Sequence, residues 1–164
     1  MQPLEYAMQM EKDGETYYRG LAARNPDKGL ASILTYLADA EVKHYNVLRD
    51  MQAKAAPTKL DEGTIRADIK NIFADLIARA VRIDATGSEI NAFQKAQDLE
   101  QKTRDFYLEQ SQKARVEAER KLLLQIADQE LMHFQILGSI IEFVSRPLPG
   151  HWLENAEWHH PDEY

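Results

Sequence analysis

The sequence predicts an all-α protein, a four-helix bundle whose second and third long helices are joined by a long crossover containing a short helix. Three observations carry that prediction. Apolar residues recur at the three-and-four spacing of one helix face over most of the chain. No stretch alternates apolar and polar residues as a strand would. The third is an internal repeat: the helix pair of the first half recurs 89 residues later, so that Glu41 falls on Glu130.

The first long helix is expected from about Pro3, a residue suited to a first helical position, to about Arg24, facing inward with Leu4, Ala7, Glu11, Tyr18 and Leu21. Asn25-Pro-Asp ends it and opens the second, which runs to about Lys54 and turns inward Leu30, Ile33, Leu34, Leu37, Glu41, His44, Leu48 and Met51. Residues 55–63 read as a loop. Ile65, Ile69, Ile72, Phe73, Leu76, Ile77 and Ala80 mark the short crossover helix as amphipathic core cover. Thr86-Gly-Ser-Glu89 has the form of a capping box and starts the third long helix, with Phe93, Ala96, Glu100, Thr103 and Tyr107 inward. The fourth runs from about Val116 to Ser145 and stops at Arg146-Pro147. Residues 1–146 are thus expected to form the bundle and 147–164 an aromatic, acidic tail.

Composition narrows the function. At 164 residues the chain suits one domain with a sizeable core. A net charge of −7 argues against nucleic acid, whose binders show basic patches. No apolar run is long enough to span a membrane. The opening Met1-Gln-Pro-Leu-Glu lacks a basic region followed by an apolar segment, so no secretory signal and a cytoplasmic location are expected. The absence of cysteine excludes disulfides, zinc knuckles, iron–sulfur ligation and thiol chemistry.

The chemistry is concentrated in the repeat. Leu37-Ala-Asp-Ala-Glu41-Val-Lys-His44 matches Ile126-Ala-Asp-Gln-Glu130-Leu-Met-His133, and upstream Glu11 pairs with Glu100 and Tyr18 with Tyr107. Glu130 and His133 share a helix face with Ile126, Leu137 and Ile140, so both should point into the core. An ionised carboxylate buried there must pair or bind a metal. Residues three apart on a helix stand about 60° apart around its axis. A Glu-x-x-His can therefore give one metal its imidazole and reach a second with its carboxylate. Two such helices, plus one Glu from each of the other two, supply the four carboxylates and two imidazoles of ferritin-like dinuclear bundles. Four carboxylates balance two divalent cations, and oxygen-rich ligation without thiolate suits iron or manganese. A lone Glu-x-x-His is a weak signal, for Glu157-Trp-His-His160 in the tail has one too. Six residues in one offset register are a strong one.

Over residues 3–146 these motifs resemble the rubrerythrin family. The resemblance implies two iron ions, replaceable by manganese or zinc, with Glu11 and Glu100 as terminal ligands, Glu41 and Glu130 as bridges, and His44 and His133 on one iron each. It implies reduction of hydrogen peroxide or dioxygen with electrons from a separate donor such as a rubredoxin or ferredoxin. Two departures stand out. The chain has no cysteine for a rubredoxin domain, and Gln97 occupies a position where many relatives carry an additional carboxylate linked to a redox shift of one iron. The tail, Trp152-Leu-Glu-Asn-Ala-Glu-Trp158-His-His, looks like that of small stand-alone members.

Tyr18 and Tyr107, two turns beyond Glu11 and Glu100, are the expected catalytic partners, bonding ligand carboxylates or supplying protons. Gly14 and Thr103 match in register; the glycine leaves room either for an oxygen species or for close helix packing. Asp39 and Asp128 should be solvated or lie at an interface. Trp152, Trp158 and Tyr164 suit buried anchors of a homodimer interface, the alternative being a tail that packs on its own bundle. Two other classes remain open: an iron-handling ferroxidase, and a bundle that metals merely stabilise.

Overall fold

A computed structural model of the chain describes residues 2–60, 65–78 and 87–145. Five helices and no strands occur among them: α1 (Pro3–Arg24), α2 (Lys28–Gln52), α3 (Ala67–Ala78), α4 (Gly87–Lys113) and α5 (Glu117–Val144). The long helices match the sequence expectation to within about two residues. Ala80, Thr86 of the expected capping box and the whole tail, with its tryptophans and histidines, lie outside the described residues.

Local chemistry sets the turn between α1 and α2. Asn25 precedes Pro26, whose ring disfavours helical backbone in the residue before it, and Asn25 is extended at φ −91° and ψ 121°. Two residues on, the Asp27 carboxylate accepts from the Leu30 amide at 2.9 Å and caps α2. So short a connection makes α1 and α2 antiparallel neighbours. They pack along their length, as do α4 and α5. The two hairpins meet through α2 and α5, and α3 lies on α2.

Every inward residue expected of α2 is buried, and in α5 Ile126, Glu130, His133, Leu137 and Ile140 are buried too. The apolar interior falls into two clusters. One gathers Tyr18, Leu34, Leu37, Phe93, Ile136 and Leu137, the other Ala7, Val47, Leu48, Tyr107, Leu123 and Ile126. Along each long helix the charged ligand positions fall between residues of one cluster and residues of the other. A buried polar layer is therefore sealed above and below by apolar side chains.

The stripe on α3 is narrower than expected. Ile69 and Leu76 are buried, but Ile77 is 53 % exposed. With α2 as its main neighbour, this helix covers only one line of side chains, and Ile77 falls beyond its edge. Gly29 lets α3 come close, since a Cβ there would stand 3.2 Å from the Ile72 Cγ2. No helix among the described residues is long and apolar enough to cross a membrane.

Candidate metal centre

α1 contributes Glu11 to the polar layer, α2 Glu41 and His44, α4 Glu100, and α5 Glu130 and His133. All six are buried, both histidines completely. The fold thus brings together all six residues singled out by the repeat.

Their atoms define two overlapping clusters, Glu11–Glu41–His44–Glu130 and Glu41–Glu100–Glu130–His133, each with ligand atoms within 4.8 Å of one another. The His44 Nδ1 lies 3.4 Å from Glu11, 3.4 Å from Glu41 and 3.3 Å from Glu130. The His133 Nδ1 lies 3.3 Å from Glu41, 3.3 Å from Glu100 and 3.4 Å from Glu130. Glu41 sends Oε2 towards His44 and Oε1 towards His133, and Glu130 sends Oε1 towards His44 and Oε2 towards His133. Each therefore straddles both clusters, while Glu11 serves one and Glu100 the other. The imidazoles stack with centroids 5.6 Å apart.

These short separations are not hydrogen bonds. Both Nδ1 atoms, the Glu11 Oε2 and both Glu130 oxygens are buried without a hydrogen-bond partner among the described residues. Native interiors rarely leave such atoms unsatisfied. Donor atoms that converge around common points without bonding one another are arranged as ligands are. The set of four carboxylates and two imidazoles, with no thiolate, fits two oxygen-preferring divalent ions.

Without an ion the layer must balance its charge with protons. Burial, then the facing Glu41, pushes Glu11 up to about 8. Burial, then Glu100, Glu41 and Glu11, lifts Glu130 well above the usual carboxylate range. Burial works against a charged imidazole, but Glu11 and Glu130 outweigh it at His44, and Glu100, Glu130 and Glu41 do so at His133, so both rings are raised. Burial also opposes ionisation of Glu41 and Glu100. The nearness of Glu11 and the two imidazoles at Glu41, and the His133 charge at Glu100, hold these two below their ordinary value. Two carboxylates ionised opposite two imidazoliums give a neutral interior.

The two tyrosines bond ligand carboxylates, as expected, and they do so across the repeat. Tyr18 on α1 donates to Glu100 on α4, and Tyr107 on α4 donates to Glu11 on α1. Burial, then the nearby carboxylates, keeps both phenols protonated well above their usual range. Sequence reasoning missed Gln129, whose Oε1 lies 2.5 Å from the His44 Nε2. Its only signal was a polar residue one turn before His133 on the apolar side of α5. Asp39 and Asp128 are exposed, as expected, and Asp39 accepts from Arg19 at 3.0 Å. Gln97 turns away from the carboxylates, donating to the Phe134 carbonyl on α5 at 3.1 Å.

A cleft of about 330 Å³ between α1 and α4 opens onto Glu11, Glu41, Glu100 and Glu130, with Tyr6, Leu99, Lys95 and Lys102 among its outer residues. Gly14 and Thr103 line it as well. A Cβ on Gly14 would sit 3.5 Å from the Glu41 side chain, an ordinary contact with a flexible group rather than with a neighbouring backbone. A Cβ at this position would thus be tolerated without a backbone clash, and the glycine leaves that space beside Glu41 open.

Compared with protein-family models, with curated proteins and with solved structures, the chain matches none.

Proposed function

We propose that this chain is a ferritin-like dinuclear iron protein, similar to the rubrerythrins, that reduces hydrogen peroxide with electrons from a separate donor. The observation that carries the reading is the pair of clusters sharing Glu41 and Glu130, each clustered around its own imidazole. Such sharing suits two ions about 3.5–4 Å apart that act on one substrate.

When bound, a ferrous pair supplies two electrons, one per ion, which matches the conversion of hydrogen peroxide and two protons into two waters. The chain supplies the rest. The cleft between α1 and α4 admits a small oxidant to the carboxylates. Tyr18 and Tyr107 hold protons on Glu100 and Glu11, one hydrogen bond from the centre. Apolar clusters flank the polar layer on either side. These residues hold no cysteine for an iron–sulfur or rubredoxin-type centre, and on the proposed reading the electrons that restore the ferrous state come from a donor such as a rubredoxin or ferredoxin.

One observation favours a second reading. Gln97 is tied to the α5 backbone and offers no carboxylate to the centre. A chain without that group suits oxidation by dioxygen, as in a ferroxidase that handles iron. Stopped-flow mixing of the anaerobically loaded ferrous protein with each oxidant separates the two. Faster oxidation by peroxide, with sustained turnover only when donor and reductase are added, is the expected result. Much faster oxidation by dioxygen would replace the peroxidase reading with the second.

A further inference from the structure

The symmetry of the six ligands breaks at one buried position beside them. Gln129 precedes Glu130 in the chain and is 3 % exposed. Its carbonyl oxygen faces the His44 Nε2 at 2.5 Å. The residue in the same register of the first half is Ala40, whose methyl group accepts nothing. The His133 Nε2 is buried and has no hydrogen-bond partner among the described residues. Ligand distances do not distinguish the two rings, because both Nδ1 atoms face three carboxylates at 3.3–3.4 Å.

A carbonyl acceptor at Nε2 keeps the proton on that nitrogen, fixes the plane of the ring and leaves the Nδ1 lone pair for the centre. Such outer partners also raise the basicity of a ligating imidazole. The His133 ring receives none of this help, and its Nε2–H would stay buried without an acceptor whenever Nδ1 held an ion. We infer that Gln129 is a positioning residue that makes the two metal positions unequal, so that a divalent ion fills the His44 position before the His133 position. The inference rests on reading the cluster as a dinuclear centre. It assigns the halves of that centre an order of loading.

The full chain, crystallised with one equivalent of manganese(II), tests it through the anomalous-scattering occupancy of each position. Free-manganese EPR titration gives the affinity of each step in solution. Wild type should hold its manganese mainly beside His44. Q129A should even out the occupancies and weaken the first step by about 10–100-fold, leaving the second in place. Q129E, which keeps an acceptor at the ring, should retain the preference, and the swap A40Q/Q129A should move it towards His133. Equal occupancy in wild type, a preference that survives Q129A, or equal weakening of both steps would overturn the inference alone. A wild-type chain that binds no manganese at either position would overturn the dinuclear reading and the inference with it.

Discussion

In the α1–α2 hairpin the residues Glu11, Glu41 and His44 stand among Gly14, Tyr17 and Ala40; in the α4–α5 hairpin Glu100, Glu130 and His133 stand among Thr103, Phe106 and Gln129. The inner sets superpose in register and in distance, and the outer sets differ at each of these positions. On the proposed reading a pair of like ions would require matched ligands, which would bind the inner positions by one geometric condition. The surroundings answer to local needs instead. Tyr17 donates to the Ala92 carbonyl at 2.8 Å and ties α1 to the start of α4, whereas Phe106 has no hydroxyl and packs on Tyr6 at a centroid distance of 5.3 Å. The two hairpins therefore share a centre without being interchangeable around it.

The largest effect should come from removing a ligand that belongs to both halves. Glu41→Ala or Glu130→Ala takes an oxygen from each cluster, and metal analysis should fall from two ions per chain towards none. Glu11→Ala or Glu100→Ala empties one cluster only and should leave about one. If the two kinds of variant retained the same number of ions, Glu41 and Glu130 would not be bridges.

Metal removal compares the layer with and without its ions. An ion present at about 1,000 times its dissociation constant adds about 4 kcal/mol, so thermal unfolding should shift by on the order of 10 °C for a chain of this size. The shift should grow with pH. Glu11, raised from 4.5 to about 8, keeps a proton that the unfolded chain has already released, so its contribution is complete below pH 4.5 and fades as pH rises towards 8. His44 and His133 are raised from 6.5 and act in the same direction above that pH. Glu41 and Glu100, lowered from 4.5, matter only in more acidic solution. The metal-free chain should therefore lose up to about 1.4 kcal/mol per pH unit for the Glu11 proton between pH 5 and 8, and as much again for each histidine proton above about pH 6.5. The same loss of protons frees the ligands, so affinity for metal should rise over that range. Chemical unfolding at pH 5.5 and 7.5, with and without manganese(II), measures both trends. Flat stability in the metal-free chain would show that the layer does not hold these protons.

The crossed tyrosines offer a smaller test of equivalence. Tyr18→Phe removes the donor to Glu100, and Tyr107→Phe removes the donor to Glu11. A buried hydrogen bond to a carboxylate is worth about 2 kcal/mol, and each variant should lose about that much while binding two ions. A double variant that loses the sum would mark two independent contacts; a loss well short of it would mean that the tyrosines act as one unit.

The buried cluster of Glu and His was legible because carboxylates on an apolar helix face, written twice in one register, must be paired, protonated or bound to a cation. The long helices were legible for a related reason: their apolar faces run for several turns and end at Asn25-Pro26 or at similar breaks. What the sequence concealed is pairing across space. Nothing in the order of residues says that Tyr18 bonds Glu100 rather than Glu11 of its own helix, because that choice depends on how α1 and α4 face each other over the cleft. Gln129 was hidden for the same reason, as its partner His44 lies on another helix. Ile77 shows the opposite failure, since its spacing fits a stripe and its neighbours run out before it is covered.

The smallest predicted effect concerns Gly14, which lines the cleft where the second half has Thr103. A glycine inside a helix costs about 1 kcal/mol relative to alanine. No steric reason opposes the substitution, for the new Cβ would meet the Glu41 side chain at an ordinary 3.5 Å. Gly14→Ala should therefore raise stability by up to about 1 kcal/mol in chemical unfolding and leave both metal positions intact. It should also narrow the approach to Glu41, slowing oxidation of the loaded protein more for a bulky alkyl hydroperoxide than for hydrogen peroxide. Equal rates for both oxidants before and after the change would show that they do not pass Gly14, and that the difference between Gly14 and Thr103 has no part in access.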